Sequence, residues 1–178
     1  MELFILEIER LRLRPLTLDD AEQLHQLCDR DPEVWQFDPG YERSLDERID
    51  LIKERIQEYE IYGFGCFAIE IKPNLELIGQ GGLSPHQFEH QDGSFTDEFE
   101  VMYKLGKNYW RQGYATEASQ AWIEYAFEIA KLKRLVVCPH KDNIASVRVL
   151  EKLGFRIEDD WQEPESCLAF LENFKALV

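Results

Sequence analysis

Residues Tyr109-Trp110-Arg111-Gln112-Gly113-Tyr114-Ala115-Thr116-Glu117-Ala118 open an amphipathic stretch directly after a strand-like run at 99–105. A helix N-terminus carries unpaired backbone N–H groups and a partial positive charge, so it attracts anions. Gly113 and Ala115 have almost no side chain, which leaves the backbone open to close approach by a phosphate. Strand, turn and helix together read either as a seat for a pyrophosphate or as a helix that merely begins with small residues. The chain has no G-K-S/T and no G-x-G-x-x-G, so this is neither a P-loop nor a dinucleotide fingerprint. Arg111 and Lys107 would add positive charge beside a bound phosphate, or simply sit in solvent.

Asn143 and Ser146 lie three apart at the start of a second helical stretch, so their side chains share a face. On spacing alone they read as a helix cap and a neighbouring hydroxyl. His86 and His90 have the i, i+4 spacing of a zinc pair on a helix. Pro85, Gly93 and the polar residues between them argue against a helix there, and no third ligand is evident, so no metal is expected. Trp35 and Phe37, in the segment Trp35-Gln36-Phe37-Asp38, either plug the core or border a binding site.

The elements that must position these residues follow from periodicity. Alternation over 10–15 suits a half-buried first strand. Thr17-Leu18-Asp19-Asp20 is a capping pattern, followed by a helical face of Ala21, Leu24, Leu27 and Cys28. Residues 31–43 read mostly as loop. Ser44-Leu45-Asp46-Glu47 is a capping box, and Leu45, Ile49, Ile52, Ile56 and Tyr59 give a helix ending near Tyr59. Residues 64–71 and 75–83 form a hairpin through Lys72-Pro73-Asn74; Gly79, Gly81 and Gly82 mark a bulge or a close backbone approach. Residues 86–96 are polar and expected to be exposed. After the strand at 99–105 comes a helix over 112–131 with buried face Ala118, Ala121, Trp122, Tyr125, Ala126, Ile129 and Ala130. An apolar strand at 135–138 leads to a helix capped by Asp142 or Asn143, with buried face Ile144, Val147, Leu150 and Leu153 and an end at Gly154. Residues 155–159 and 167–171 are the last strands. The order β-α-α-β-β-β-α-β-α-β-β mixes hairpins with crossovers, which implies a mixed α/β sheet covered by helices.

With 178 residues, 44% hydrophobic and 12% aromatic, the chain fits one folded domain, and disorder is not expected. A net charge of −15 disfavours nucleic acid as a partner, because phosphate backbones require clustered Lys and Arg. Acidity suits either a soluble surface or attraction of a cationic substrate. No apolar run is long enough to span a bilayer and no signal-peptide pattern opens the chain, so a cytoplasmic protein without a membrane partner is expected. Cys28, Cys66, Cys138 and Cys167 are far apart among apolar neighbours, which predicts packed, reduced thiols.

Glu100-Val101-Met102-Tyr103-Lys104-Leu105, the segment 110–118, Asn143-Ile144-Ala145-Ser146 and Glu151-Lys152-Leu153-Gly154-Phe155 occur in that order. Together they resemble the GNAT acetyltransferase superfamily, most closely the branch containing the ribosomal-protein alanine N-acetyltransferases, over residues 10–171. The resemblance implies an α/β (α+β) GNAT fold: a mostly antiparallel seven-stranded sheet, about four helices, and splayed fourth and fifth strands, in a single domain over 1–178. It implies acetyl-CoA between those strands, with its pyrophosphate on the backbone N–H groups of Arg111, Gln112, Gly113, Tyr114, Ala115 and Thr116. Along the strand edge at Tyr103, Lys104 and Leu105, backbone groups of Tyr103 and Leu105 would pair with the pantetheine amides. The superfamily often has Gln or Arg where this chain has Trp110, a departure that a cradle made of amides tolerates.

In that pattern Asn143 holds the pantetheine arm and Ser146 faces the thioester sulfur. Many members carry a proton-donating Tyr one turn further on; here that position is Leu150, which leaves Ser146 as the acid candidate. A thiol pKa of about 8.5 makes the thiolate a tolerable leaving group, so a strong acid is not required. Glu100 is the base candidate, acting through a water, with a solvating strand residue as the equal alternative. Trp35, Phe37 and Asp38 would border the acceptor. The implied reaction is acetyl transfer from acetyl-CoA to a primary amine by direct attack in a ternary complex. A protein or peptide N-terminal α-amine is the preferred acceptor, since its pKa of about 7.7–8.0 demands little help from a base. A polyamine or aminoglycoside is the alternative, and a non-catalytic acyl-CoA-binding module is the reading of a different class. A monomer or homodimer is expected.

Overall fold

β2 (Leu11–Pro15) shows how alternation becomes structure: Leu11 and Leu13 are fully buried, while Arg12 and Arg14 turn to the other face. There Glu70 of β3 (Cys66–Ile71) accepts from Arg14 Nε at 2.7 Å and from Arg12 Nη1 at 3.3 Å. The structure, a computed structural model, describes residues 4–173. A short β1 (Leu6–Glu7) pairs antiparallel with β2. β4 (Glu76–Glu89) and β5 (Phe95–Leu105) complete a five-stranded sheet of order β1-β2-β3-β4-β5. β6 (Arg134–Val137), β8 (Cys167–Glu172) and β7 (Arg156–Asp159) form a second, antiparallel sheet in the order β6-β8-β7.

The described residues thus give eight strands in two hydrogen-bonded sheets, where one seven-stranded sheet was expected. Counting from β2, the fourth and fifth strands are β5 and β6. They belong to different sheets.

Between β2 and β3 the chain is helical. Asp20 accepts from the Thr17 N–H at 2.8 Å, closing the expected box around a 3₁₀ turn at Leu18–Asp20. α1 (Ala21–Leu24) continues into a π-helical turn at His25–Asp29. α2 (Pro32–Trp35) occupies part of the segment expected as loop; Asp31 caps it, and Pro32 sits in its first turn, where a missing N–H costs nothing. α3 (Leu45–Tyr62) begins at the Ser44–Glu47 box, runs past the expected end at Tyr59, and stops at left-handed Gly63. Inside this layer the fully buried Arg48 donates to Asp29 at 2.6 Å and to Gln80 at 2.9 Å, so neither buried charge is left alone.

The glycines of β4 answer both expectations for them. Ile69 pairs with Gly79 and Glu70 with Leu77, a bulge. A Cβ at Gly79 would lie 2.2 Å from the Lys104 carbonyl oxygen, so only glycine permits that strand approach. Residues 86–96 are corrected: β4 continues through Glu89 and β5 begins at Phe95, with the turn between them. A single apolar residue decides this, because Phe88 is buried against Val136, Leu168 and Phe170. The 112–131 helix is α4 (Tyr114–Glu124) followed by a π-helical turn at Tyr125–Ile129. That wider turn rotates the face, and Ile129, expected to be buried, is 65% exposed. α5 (Ile144–Lys152) ends before left-handed Gly154, as expected. Cys28 and Cys66 are buried, but Cys138 is exposed and Cys167 half-buried; all four are free thiols.

The chain divides into two compact units. One runs to Gly82 and takes in Tyr103–Ala121; the other comprises Leu83–Met102 and the chain from Trp122 onward. Among the described residues no helix is long and apolar enough to cross a membrane, and no group of three or more His, Cys, Asp or Glu could hold a metal.

Candidate functional site

The first unit takes in the end of β5, the last strand of its sheet, which finishes at Leu105. A 3₁₀ turn at Lys107–Tyr109 follows, and the chain then bends sharply into α4. Two residues of the bend are left-handed, Arg111 at φ 61° and Gly113 at φ 84°. Glycine adopts that region freely; arginine does so only when neighbouring structure enforces it. The Trp110 indole N–H donates to the Leu105 carbonyl at 2.8 Å, tying the bend to the strand end. Gln112 Nε2 donates to the Asn108 carbonyl at 2.9 Å, and Arg10 Nη1 donates to the Gln112 carbonyl at 2.9 Å. Arg111, Gln112 and Gly113 are exposed. The Gly113 carbonyl accepts from the Glu117 N–H at 3.0 Å as the first bond of the helix, so the amides that precede Glu117 have no intrahelical partner and can face an anion.

The arginine in this set was not legible beforehand, because Arg10 stands 102 residues from Gln112 and no local pattern links them. Trp110 was legible only as a departure; its indole turns out to fasten the turn. The Leu105 carbonyl, expected to pair with pantetheine, already accepts the indole N–H and keeps one further lone pair. Lys107 is not a free phosphate ligand, since its ammonium pairs with Glu33.

The expected acceptor residues lie in this unit too. Trp35 closes α2, and its carbonyl accepts from the N–H groups of Asp38 and Gly40 at 3.0 and 2.9 Å. Its indole nitrogen is buried with no hydrogen-bond partner. Phe37 is half-buried. Asp38 accepts from the Lys104 ammonium at 2.5 Å, so this segment is drawn onto the end of β5. Burial works to raise the Asp38 carboxyl, but Lys104, then Arg43 and Arg55, hold it below the usual aspartate range.

The second unit contains Glu100, Asn143 and Ser146. Asn143 is the cap of α5: its Oδ1 accepts from the Ser146 N–H at 3.1 Å. The structure therefore unites these two residues through the backbone of one and the side chain of the other. Leu150, one turn on, is fully buried and has no proton to give. Glu100 is half-buried on β5. Its charge reaches Cys138: although the residue is exposed, its thiol is partly shielded, and that partial burial, then Asp160 and Glu100, push it up to about 11. Cys138 Sγ lies 3.9 Å from His86 Nε2, and burial lowers the His86 pKa. At neutral pH this is a thiol beside a neutral imidazole, not a nucleophilic thiolate.

Comparison with known proteins places these features in a wider set. A model of the acetyltransferase (GNAT) domain matches residues 10–156. An uncharacterized N-acetyltransferase, p20, of Bacillus licheniformis is 32% identical over 152 residues, 84% of this chain and 81% of that protein. The spermidine N(1)-acetyltransferase of Escherichia coli K12 is 26% identical over 152 residues, 84% of this chain and 75% of that one. Among solved structures, the ribosomal alpha-N-protein acetyltransferase RimL in complex with coenzyme A superposes with a TM-score of 0.74 at 21% identity, covering 95% of this chain and 98% of its own. That last likeness is one of fold.

Proposed function

Because the chain belongs to the GNAT acetyltransferase family, we propose that it is an acetyl-CoA-dependent N-acetyltransferase acting on the N-terminal α-amine of a protein or peptide. The observation that carries the cofactor assignment is the bend at 110–114. Two left-handed residues lead into a helix whose first amides, before Glu117, have no intrahelical partner, and such amides suit a pyrophosphate. Arg111 to Thr116 supply the amides, and the β5 edge at Tyr103, Lys104 and Leu105 lines the pantetheine. The family uses acetyl-CoA, and the RimL neighbour was solved with coenzyme A.

In the chemical step the neutral amine attacks the thioester carbonyl directly, the C–S bond breaks, and the sulfur leaves as thiolate. Ser146 donates a hydrogen bond to that sulfur as it gains charge, and Asn143 holds the pantetheine arm. Glu100 accepts the amine proton through a water. Trp35, Phe37 and Asp38 border the acceptor. An α-amine suits this modest machinery, because much of it is already neutral near pH 8.

A polyamine is the second reading, favoured by the spermidine N(1)-acetyltransferase relative and by the net charge of −15. Thiol release from acetyl-CoA measured over peptides with free and blocked N-termini, spermidine and an aminoglycoside separates the two. The α-amine reading expects the highest kcat/KM for free peptide N-termini, with little dependence on salt. A preference for spermidine that falls steeply with added salt would replace it with the polyamine reading.

A further inference from the structure

The bend before α4 raises a question that its own residues do not answer: what holds Gln112 between two left-handed neighbours while leaving the next amides free? We propose that Arg10, at the start of the first long strand, is a positioning residue for the acetyl-CoA pyrophosphate. The inference rests on the seat assigned above and names the side chain that shapes it.

Arg10 touches the seat at four points. Nη1 donates to the Gln112 carbonyl at 2.9 Å, engaging that oxygen between the two left-handed residues. The guanidinium carbon lies 4.6 Å from the centre of the Tyr114 ring, a cation–π contact with the first residue of α4. Nη2 would be 3.2 Å from a Cβ on Gly113, so the arginine packs against the one residue in the bend without a side chain. Nε donates to Glu117 Oε2 at 2.6 Å, while the Arg10 backbone N–H donates to Glu117 Oε1 at 2.8 Å. One planar fork thus spans the bend, the helix start and the first turn, a reach and a rigidity that a lysine ammonium does not have.

Glu117 gives the inference its sharpest edge. A carboxylate in the first turn of α4 suits the helix dipole, yet it also repels a phosphate bound there. If charge alone mattered at this seat, removing it would tighten acetyl-CoA binding. If Glu117 serves to orient Arg10, removing it loosens the bend and weakens binding.

The test measures acetyl-CoA affinity by calorimetry, together with kcat and KM, on the full chain. Arg10→Gln is expected to raise the KM for acetyl-CoA about fivefold to tenfold, with kcat at saturating cofactor close to the parent. Arg10→Lys is expected not to restore it, because the fork is lost while the charge remains. Glu117→Gln is expected to weaken binding by about threefold despite removing a negative charge. A parental KM for Arg10→Gln, or tighter binding by Glu117→Gln, overturns the inference. Gly113→Glu is the control for the underlying assignment: parental affinity in that variant removes the seat itself. Lost affinity there with parental behaviour in Arg10→Gln removes only the role of Arg10. Should Arg10→Gln also lower thermal stability, the sign of the Glu117→Gln effect still decides.

Discussion

Helices α4 and α5 both begin beside candidate functional residues, and they satisfy their first turns in opposite ways. α5 completes itself: Asn143 Oδ1 takes the Ser146 N–H at 3.1 Å, and the Asn143 carbonyl takes the Val147 N–H at 3.0 Å. The chain enters α4 through two left-handed residues, with Arg10 reaching in from far along the sequence and Trp110 tying the bend to the end of β5. A helix start meant for an anion must leave its amides unpaired, and the stabilisation that a cap normally contributes then has to come from elsewhere in the fold. A helix start that presents side chains can cap itself. On the proposed reading, the first would be a backbone site held by side chains, one of them distant, and the second a side-chain site held by its own backbone.

That contrast can be broken most forcefully at Ser146. If α5 works through side chains, Ser146→Ala lowers kcat by about tenfold to a hundredfold and leaves acetyl-CoA affinity nearly intact, since the lost hydrogen bond matters mainly as sulfur gains charge. Equal single-turnover rates for variant and parent, with chemistry limiting, would reduce Ser146 to an ordinary helix residue.

The converse test belongs to α4. Gly113→Glu puts a like charge at the phosphates, requires a strained φ of 84°, and brings a Cβ within 3.2 Å of Arg10. We expect acetyl-CoA affinity to fall at least about tenfold by calorimetry. Unchanged binding would mean that the backbone of this bend carries no anion.

Asn143 sharpens the comparison, because it caps with its oxygen, whereas the role proposed for it on the pantetheine arm would use its amide nitrogen. Asn143→Ala should cost about 1 kcal/mol in denaturant unfolding. Asn143→Asp keeps the cap, so its stability should match the parent while its KM for acetyl-CoA rises by about threefold through loss of the N–H donor. Parental KM in the aspartate variant would leave Asn143 as a cap only.

The smallest effect concerns the frame of the braced helix start. Arg14, on the strand that Arg10 leads into, binds Asp20 at 2.7 and 2.8 Å. Burial works to raise the Asp20 carboxyl, but the bonds from Arg14 and Thr17 outweigh it and hold its pKa below the ordinary value. A lowered folded-state pKa contributes stability above the ordinary aspartate value of about 3.9, and that stability is lost as pH falls through the folded value. Asp20→Asn should therefore be less stable than the parent at neutral pH and converge with it in acid. A constant gap between the two stability curves down to pH 2 or so would contradict this.

Local signals in the sequence translated well. Both capping boxes, at Thr17–Asp20 and Ser44–Glu47, form as the spacing required, because each depends on residues three apart. Alternation located β2, and the glycines of β4 marked a bulge and a close approach. The signals that failed were those in which one residue outweighed its neighbours. Phe88 carries a polar run into a strand because its ring finds Val136, Leu168 and Phe170, partners far along the chain. Ile129 left the buried face because one wide turn rotated the helix, and no propensity encodes that.

The same division holds at the candidate site. The resemblance carried by the four ordered motifs was enough to place the chain among the GNAT acetyltransferases, whereas the small residues at 113–115 and the Asn143–Ser146 spacing by themselves left bland readings open. Tertiary structure alone decided that Lys107 is engaged by Glu33, that Asp38 is drawn to Lys104, and that Arg10 reaches the bend it braces. Those pairings join residues 66 to 102 positions apart, and only the folded chain determines which of its many charges come within 3 Å of one another.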